Sequence, residues 1–220
     1  MIELQNITKT FRKSGREIRA VDGICWRAAP GTFSVIYGKS GSGKSTLLMM
    51  LGGMMTPSQG RLSVQGRDLY ALTRAGRNAF RKESVGFIFQ KFLLLPYFTV
   101  YENMALPLAM KRTGEARARI LALARELDLS DRLDHYPAEL SVGQQQRVAL
   151  GRALVKNPEI ILADEPTGNL DRENGDIVVA RLLAAAADGK TVIAATHDPS
   201  LLERARHRLQ IVDGRGREVS

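Results

Sequence analysis

The run Gly38-Lys39-Ser40-Gly41-Ser42-Gly43-Lys44-Ser45-Thr46 constrains this chain more than any other stretch. It follows the apolar, β-prone segment Phe33–Tyr37 and opens the helix-prone segment Leu47–Leu51. A bare Gly/Ser-rich turn needs neither flank, whereas a phosphate-binding loop needs both, together with the Lys-Ser pair at its end. The glycines let successive backbone N–H groups turn inward as a nest for phosphate oxygens, and the following helix adds its positive N-terminal end. In such a loop Lys44 reaches the β- and γ-phosphates and the Ser45 hydroxyl sits on Mg²⁺. The expected fold is therefore α/β: a phosphate-loop NTPase core with a mainly parallel sheet, to which the remaining segments add.

The 220 residues, 44% of them hydrophobic, suffice for one large α/β domain or one domain with a smaller subdomain. No apolar run approaches the roughly 18 residues needed to cross a bilayer, and Met1-Ile2-Glu3-Leu4 lacks the basic-then-apolar plan of a signal peptide. A soluble, cytoplasmic chain is expected. Cys25 stands alone, which excludes an intrachain disulfide and a thiolate metal cluster. The net charge of +9 permits contact with nucleic acid, anionic headgroups or nucleotide phosphates without choosing among them. Its basic residues are spread along the chain, as on a solvated face.

Taken in order, Ile2–Ile7, Ile18–Val21 and Ile24–Ala28 read as short strands of an antiparallel sheet beside the main one, with Phe11 in a loop between them. There its ring could stack on a purine or plug the core. Arg61–Gln65 reads as a strand, Gly66-Arg67-Asp68 as a turn, Thr73–Lys82 as a basic amphipathic helix, and Ser84–Phe89 as a buried strand ending at Gln90. From Lys91 to about Ser141 the pattern turns helical: Thr99-Val100-Tyr101-Glu102 is a capping box, and Glu115–Leu127 carries apolar residues at helical spacing. This predicts a helical subdomain inserted into the core. The proline-broken segment Phe92–Phe98 would be either a buried lip under those helices or an exposed docking patch.

Ser141 reads as the N-cap of a helix running to about Val155, a second N-terminus able to take an anion but with no lysine or acidic pair beside it. One economical source of its phosphate is a nucleotide held by another subunit. The strand Pro158–Ala163 leads into Asp164-Glu165, where an aspartate holds Mg²⁺ directly or through water and Glu165 faces the γ-phosphate as acceptor of the attacking water's proton. Asp171 begins a long helix to Ala187, the strand Thr191–Thr196 ends at His197, and a short helix and a hairpin close the chain. Gly38, Gln90, Asp164 and His197 thus all fall at the carboxyl ends of sheet strands, the edge where open α/β sheets bind ligands.

Gly38–Thr46, Gln90, Leu140–Gln144, Ile160–Glu165, Leu170-Asp171 and His197, in this order, resemble the nucleotide-binding subunit of ATP-binding-cassette (ABC) transporters across essentially all of residues 1–220. The resemblance implies a single ABC ATPase domain whose inserted helical subdomain spans about 91–155. It implies that two copies sandwich two ATP molecules head to tail, each with Mg²⁺, between one copy's phosphate loop and the other's Ser141, Gly143 and Gln144. It further implies that Gln90 approaches Mg²⁺ and the attacking water, Glu165 is the base, His197 senses the γ-phosphate and Asp171 crosses the dimer interface. Phe11 takes the adenine-stacking position. Two departures stand out: Val142 replaces the usual first glycine of the Leu-Ser-Gly-Gly-Gln signature, and Lys39 replaces a frequent proline.

Gly86–Gln90, Leu94-Leu95-Pro96, Pro137–Leu140, Gln144–Ala149 and Ala163–Asp171 are similar to the branch holding lipoprotein-release, macrolide-export and cell-division ATPases. That similarity implies a separate membrane permease docking near Phe92–Phe98, a location peripheral to the inner face of the cell membrane, and no nucleic acid. Two rival classes differ in kind. A soluble ABC protein of DNA repair or translation would carry a coiled-coil insertion or a second cassette, and a cell-division type regulator would bind ATP and a membrane partner without moving solute.

Overall fold

The computed structural model describes residues 1–13, 15–109, 113–168 and 170–219. Ser14, in the expected first turn, and Asn169, before Leu170-Asp171, lie outside them. The main sheet has six strands in the order β10 (Arg215–Val219), β9 (His207–Val212), β3 (Phe33–Tyr37), β8 (Thr191–Thr196), β7 (Ile160–Asp164) and β6 (Val85–Ile88). All neighbours pair in parallel except the closing β9–β10 hairpin. A second, antiparallel sheet runs β2 (Arg16–Ala28), β1 (Ile2–Lys13), β4 (Gln59–Val64), β5 (Arg67–Asp68).

Side-chain alternation along the central strands divides the interior into two layers. Phe33, Val35, Ile161, Ala163, Val192 and Ala194 face one layer, with α4 (Gly114–Glu126), α5 (Val142–Leu154) and α6 (Arg172–Ala187) supplying Ile120, Val148, Leu150, Val178 and Leu182. Ile36, Ile160, Leu162, Ile193 and Ala195 face the other, against α1 (Lys44–Leu51) and the antiparallel sheet, including Ile2, Leu4, Trp26, Leu47, Leu51 and Leu62. Strands buried on both faces explain the near-continuous apolar runs of β3, β7 and β8.

Between β6 and β7 the described residues form helices only, α3 (Val100–Ala105), α4 and α5 with short 3₁₀ turns. The capping box at Thr99 is present: its hydroxyl accepts from the Glu102 N–H while the Glu102 carboxylate accepts from the Thr99 N–H. The remaining helices are α2 (Arg74–Ser84), capped by Thr73, and α7 (Pro199–Arg204), capped by Asp198.

The antiparallel sheet corrects three expectations. The segments Ile18–Val21 and Ile24–Ala28 are one strand, β2, carried past Gly23 because register shifts in β1 between Leu4 and Thr10 absorb the mismatch. Phe11 consequently lies in β1 opposite Ile18, not in a loop, with the Lys9 ammonium 5.4 Å from its ring centre. Arg67-Asp68 pairs with β4, so the turn contracts to Gln65-Gly66, both at positive φ (51° and 78°), the two-residue geometry that suits a twisted hairpin.

Candidate functional site

The phosphate loop leaves the carboxyl end of β3 and enters α1 as its sequence requires. Gly43, the residue before α1, has φ 110°, and a Cβ there would lie 2.1 Å from the Ala20 carbonyl oxygen. Gly38 has φ 155°, and its Cβ would meet the Ile211 carbonyl at 2.2 Å. Both glycines are thus fixed by backbone from β2 and β9 pressing on the loop. Lys44 is buried and folds back, its Nζ donating to the carbonyls of Gly38 (2.8 Å) and Lys39 (3.2 Å). An ammonium held by carbonyls in this way is kept over the loop with its charge uncompensated, apart from the Glu165 carboxylate at 3.9 Å.

Asp164, the last residue of β7, is buried and accepts a hydrogen bond from the Ser45 hydroxyl at 3.0 Å. Burial pushes its carboxyl above the usual carboxylate range and the neighbouring Glu165 charge adds to this, against the Ser45 hydrogen bond and the Lys44 charge. A divalent cation would reverse that balance. Among the described residues no three His, Cys, Asp or Glu side chains gather as a metal cage. A cation held by Ser45 and Asp164, with Gln90 on the same cleft, would draw its other ligands from phosphate and water, the habit of Mg²⁺.

Glu165 follows the strand at φ 46°, a left-handed backbone costing a non-glycine residue on the order of 1–3 kcal/mol, and its N–H donates to the Ala195 carbonyl at 2.8 Å. The turn aims its carboxylate inward. Oε1 lies 3.0 Å from His197 Nδ1, and Oε2 accepts from the Thr196 hydroxyl at 3.2 Å. That hydroxyl in turn accepts from the Asp198 N–H, so its proton is committed to Glu165. Thr196 escaped the sequence reading because a threonine ending an apolar strand looks like ordinary β-propensity. Only its position before His197 could have singled it out.

One cleft of about 510 Å³ is lined by Lys39, Ser40, Gly41, Gly43, Lys44, Ser45, Thr46, Gln90, Glu165, His197 and Ala20, whereas Asp164 and Thr196 are not on its lining and touch it through Ser45 and Glu165. Ala20, from β2, had no signal in the sequence. Gly38 and Ser42 instead face an adjoining hollow of about 390 Å³ that shares Lys39, Ser40 and Gly41 with the cleft and is closed by the end of β9 and Asp213. Phe11 is not among the cleft residues and is 39% exposed.

Ser141, Gly143, Gln144 and Asp171 also lie outside the cleft. Ser141 caps α5: its hydroxyl accepts from the Gln144 N–H and the Gln144 side chain accepts from the Ser141 N–H. A Cβ on Gly143 would strike the Asn174 side chain at 2.4 Å. Asn174 donates to both oxygens of Asp171, at 2.8 and 3.0 Å, which fixes the amide that packs against Gly143 at the start of α5. These hydrogen bonds, the backbone one first, hold the Asp171 carboxyl below the usual carboxylate range.

In the segment Phe92–Phe98 the buried-lip alternative fails for part of the chain: Leu93, Leu95 and Tyr97 are exposed, Tyr97 at 89%. Leu94 does pack on the core. Buried Asn103 holds the segment, accepting from the Leu95 N–H at 2.8 Å and donating to the Leu95 and Phe98 carbonyls. A fully buried amide with every partner in place rigidifies what it touches.

The family model for ABC transporters matches residues 21–168. The chain belongs to the ABC transporter family. Among relatives of this cassette, a lipoprotein-releasing system ATP-binding protein of Caulobacter vibrioides is 42% identical over 219 residues, covering 98% of this chain and 94% of the relative. A macrolide export ATP-binding/permease protein of Syntrophobacter fumaroxidans is 41% identical, covering 97% of this chain and 31% of the relative. The cassette spans about a third of the length of such fused relatives. The dimeric structure of a bacterial ABC transporter cassette superposes with a TM-score of 0.94 at 37% identity, covering 100% of this chain and 98% of that one. A post-hydrolysis dimer bound to ADP and Pi superposes equally well, at 36% identity. Among the described residues no helix is long and apolar enough to cross a membrane.

Proposed function

We propose that this cassette binds and hydrolyses ATP and so drives a membrane permease that exports or extracts a substrate from the membrane. The observation that carries the reading is the convergence of Lys44, Glu165 and His197 on one cleft while the signature residues Ser141 and Gly143 lie outside it. Such a half-site calls for a second copy to bring its α5 N-terminus to the nucleotide. The solved dimeric relatives, one of them holding ADP and Pi, support this arrangement.

In the proposed reaction the phosphates lie in the loop from Gly38 to Thr46. Lys44 exchanges its contacts with the Gly38 and Lys39 carbonyls for phosphate oxygens. Ser45, Gln90 and Asp164 would hold Mg²⁺, which when bound neutralises phosphate charge. Glu165 takes the proton of the attacking water, oriented by the Thr196 hydroxyl and by His197, which also reads the γ-phosphate. The partner copy contributes a helix N-terminus at Ser141, Gly143 and Gln144, while Asp171 lies at the interface. Phe11 offers its ring to adenine. The exposed part of Phe92–Phe98 receives the permease, placing the cassette on the inner face of the membrane.

Replacing Glu165 by Gln tests this chemistry: ATP affinity should persist while turnover falls by about 10²-fold or more, since only the base is lost. Steady-state hydrolysis and equilibrium binding of ATP are measured on the same preparation. Hydrolysis close to the wild-type rate would remove Glu165 from its role.

A further inference from the structure

We propose that Arg152, near the far end of α5, is a positioning residue that relays the state of the signature end of that helix to the segment 91–98. Its use in transport rests on reading that segment as the permease surface, but its mechanics do not.

Phe92 and Leu93 are adjacent non-glycine residues with φ of 58° and 50°. The left-handed region is uncommon for single bulky residues, and two in succession require something to hold them. Local turn bonds run from the Phe92 N–H to the Phe89 carbonyl and from the Leu93 N–H to the Lys91 carbonyl. The outside support is Arg152, whose guanidinium donates through one nitrogen to the Leu93 carbonyl (2.6 Å) and through the other to the Phe92 carbonyl. A planar fork of fixed donors suits two successive carbonyls, as a point-charge ammonium does not.

The same helix is tied elsewhere. At its start Ser141 and Gln144 cap it, and in its middle the buried Gln146 side chain donates to the carbonyl of Pro166, the residue after Glu165, at 2.7 Å. The helix spans 13 residues, roughly 20 Å at 1.5 Å per residue. A rigid rod held to the catalytic turn and clasping a strained pair at its far end is a means of coupling. When nucleotide draws Ser141 toward the partner copy, Arg152 moves with α5, and Phe92 and Leu93 follow it or revert to right-handed backbone. The other end of the segment, at Leu95 and Phe98, is held by Asn103. The change is therefore confined to the stretch before Leu95.

Hydrogen exchange of peptides covering 91–98 tests the relay, using the full chain carrying Glu165→Gln, with and without Mg-ATP and without any permease. Four chains are compared: this parent, Arg152→Met, Leu93→Gly, and the two combined. Arg152→Met keeps the stem but removes the fork; Leu93→Gly removes the side chain that makes φ 50° costly. In the parent, ATP should change exchange in 91–98 several-fold. Arg152→Met should raise exchange without ATP about tenfold and abolish the ATP response, with far-ultraviolet circular dichroism unchanged. In the Leu93→Gly background the same Arg152→Met change should have a clearly smaller effect, because less strain remains to be held. If Arg152→Met does not fold, Arg152→Lys, which offers no fork, takes its place and should raise exchange without ATP and weaken the ATP response relative to the parent. An unresponsive parent, a preserved ATP response in the Arg152 variants, or equal effects in both backgrounds would overturn the relay. Failure to bind a permease despite an intact relay would overturn the docking reading instead.

Discussion

The two glycines Gly41 and Gly43 of the phosphate loop separate conformational strain from steric collision. Both have positive φ, 79° and 110°. A methyl group at Gly41 meets nothing within 4 Å, so Gly41→Ala carries only the left-handed penalty of about 1–2 kcal/mol. At Gly43 the added Cβ would lie 2.1 Å from the Ala20 carbonyl oxygen, and restoring a normal contact requires the loop or β2 to move by about 1 Å. That overpacking adds about 1–3 kcal/mol to the strain. For a chain of this length each kcal/mol shifts the melting temperature by about 3 °C, so Gly41→Ala should melt about 3–6 °C early and Gly43→Ala about 6–15 °C. The displaced N–H groups also lose phosphate contacts. One charge-assisted hydrogen bond of about 1.5–3 kcal/mol corresponds to about 10–100-fold weaker binding for Gly43→Ala. Scanning calorimetry and titration with a non-hydrolysable ATP analogue measure both quantities. Equal melting shifts, or Gly43→Ala binding within about twofold of wild type, would refute the steric argument.

Two further predictions concern the docking segment and the buried carboxylate. Tyr97→Ser should change the melting temperature by no more than about 2 °C yet abolish capture by a permease, whereas Leu94→Ala, which removes a side chain packed on the core, should cost about 2–3 kcal/mol in thermal unfolding without any partner. Asp164→Asn should raise the melting temperature at neutral pH without nucleotide, since burial lifts the Asp164 carboxyl and its ionised form opposes folding above that value. The gain should vanish as pH falls below the unfolded carboxylate value, and Mg²⁺-dependent nucleotide binding should be lost.

The central sheet was legible because β3, β7 and β8 are apolar on both faces and their ends carry residues with no core purpose: Gly38, Asp164, His197. Helix starts were equally readable, since Thr99, Ser141 and Asp171 act as caps through contacts three residues long. The antiparallel sheet was less so. Its register shifts depend on pairing across β1 and β2, which no local pattern encodes, and Phe11 was misplaced for that reason. Contacts between distant segments that no motif announces were invisible. Ala20 against Gly43, Asn174 against Gly143, and Arg152 on the Phe92 and Leu93 carbonyls each join ordinary-looking residues that only the fold brings together.

The claim that the nucleotide site is completed by a second copy is tested most directly by the solution mass of the Glu165→Gln chain with and without Mg-ATP. Light scattering should give the mass of one chain without nucleotide and of two with it, and Ser141→Arg in the same background should remain a single chain despite binding ATP at its own phosphate loop. A Glu165→Gln chain that binds ATP tightly and stays a single chain, alone and with its permease, would contradict the account.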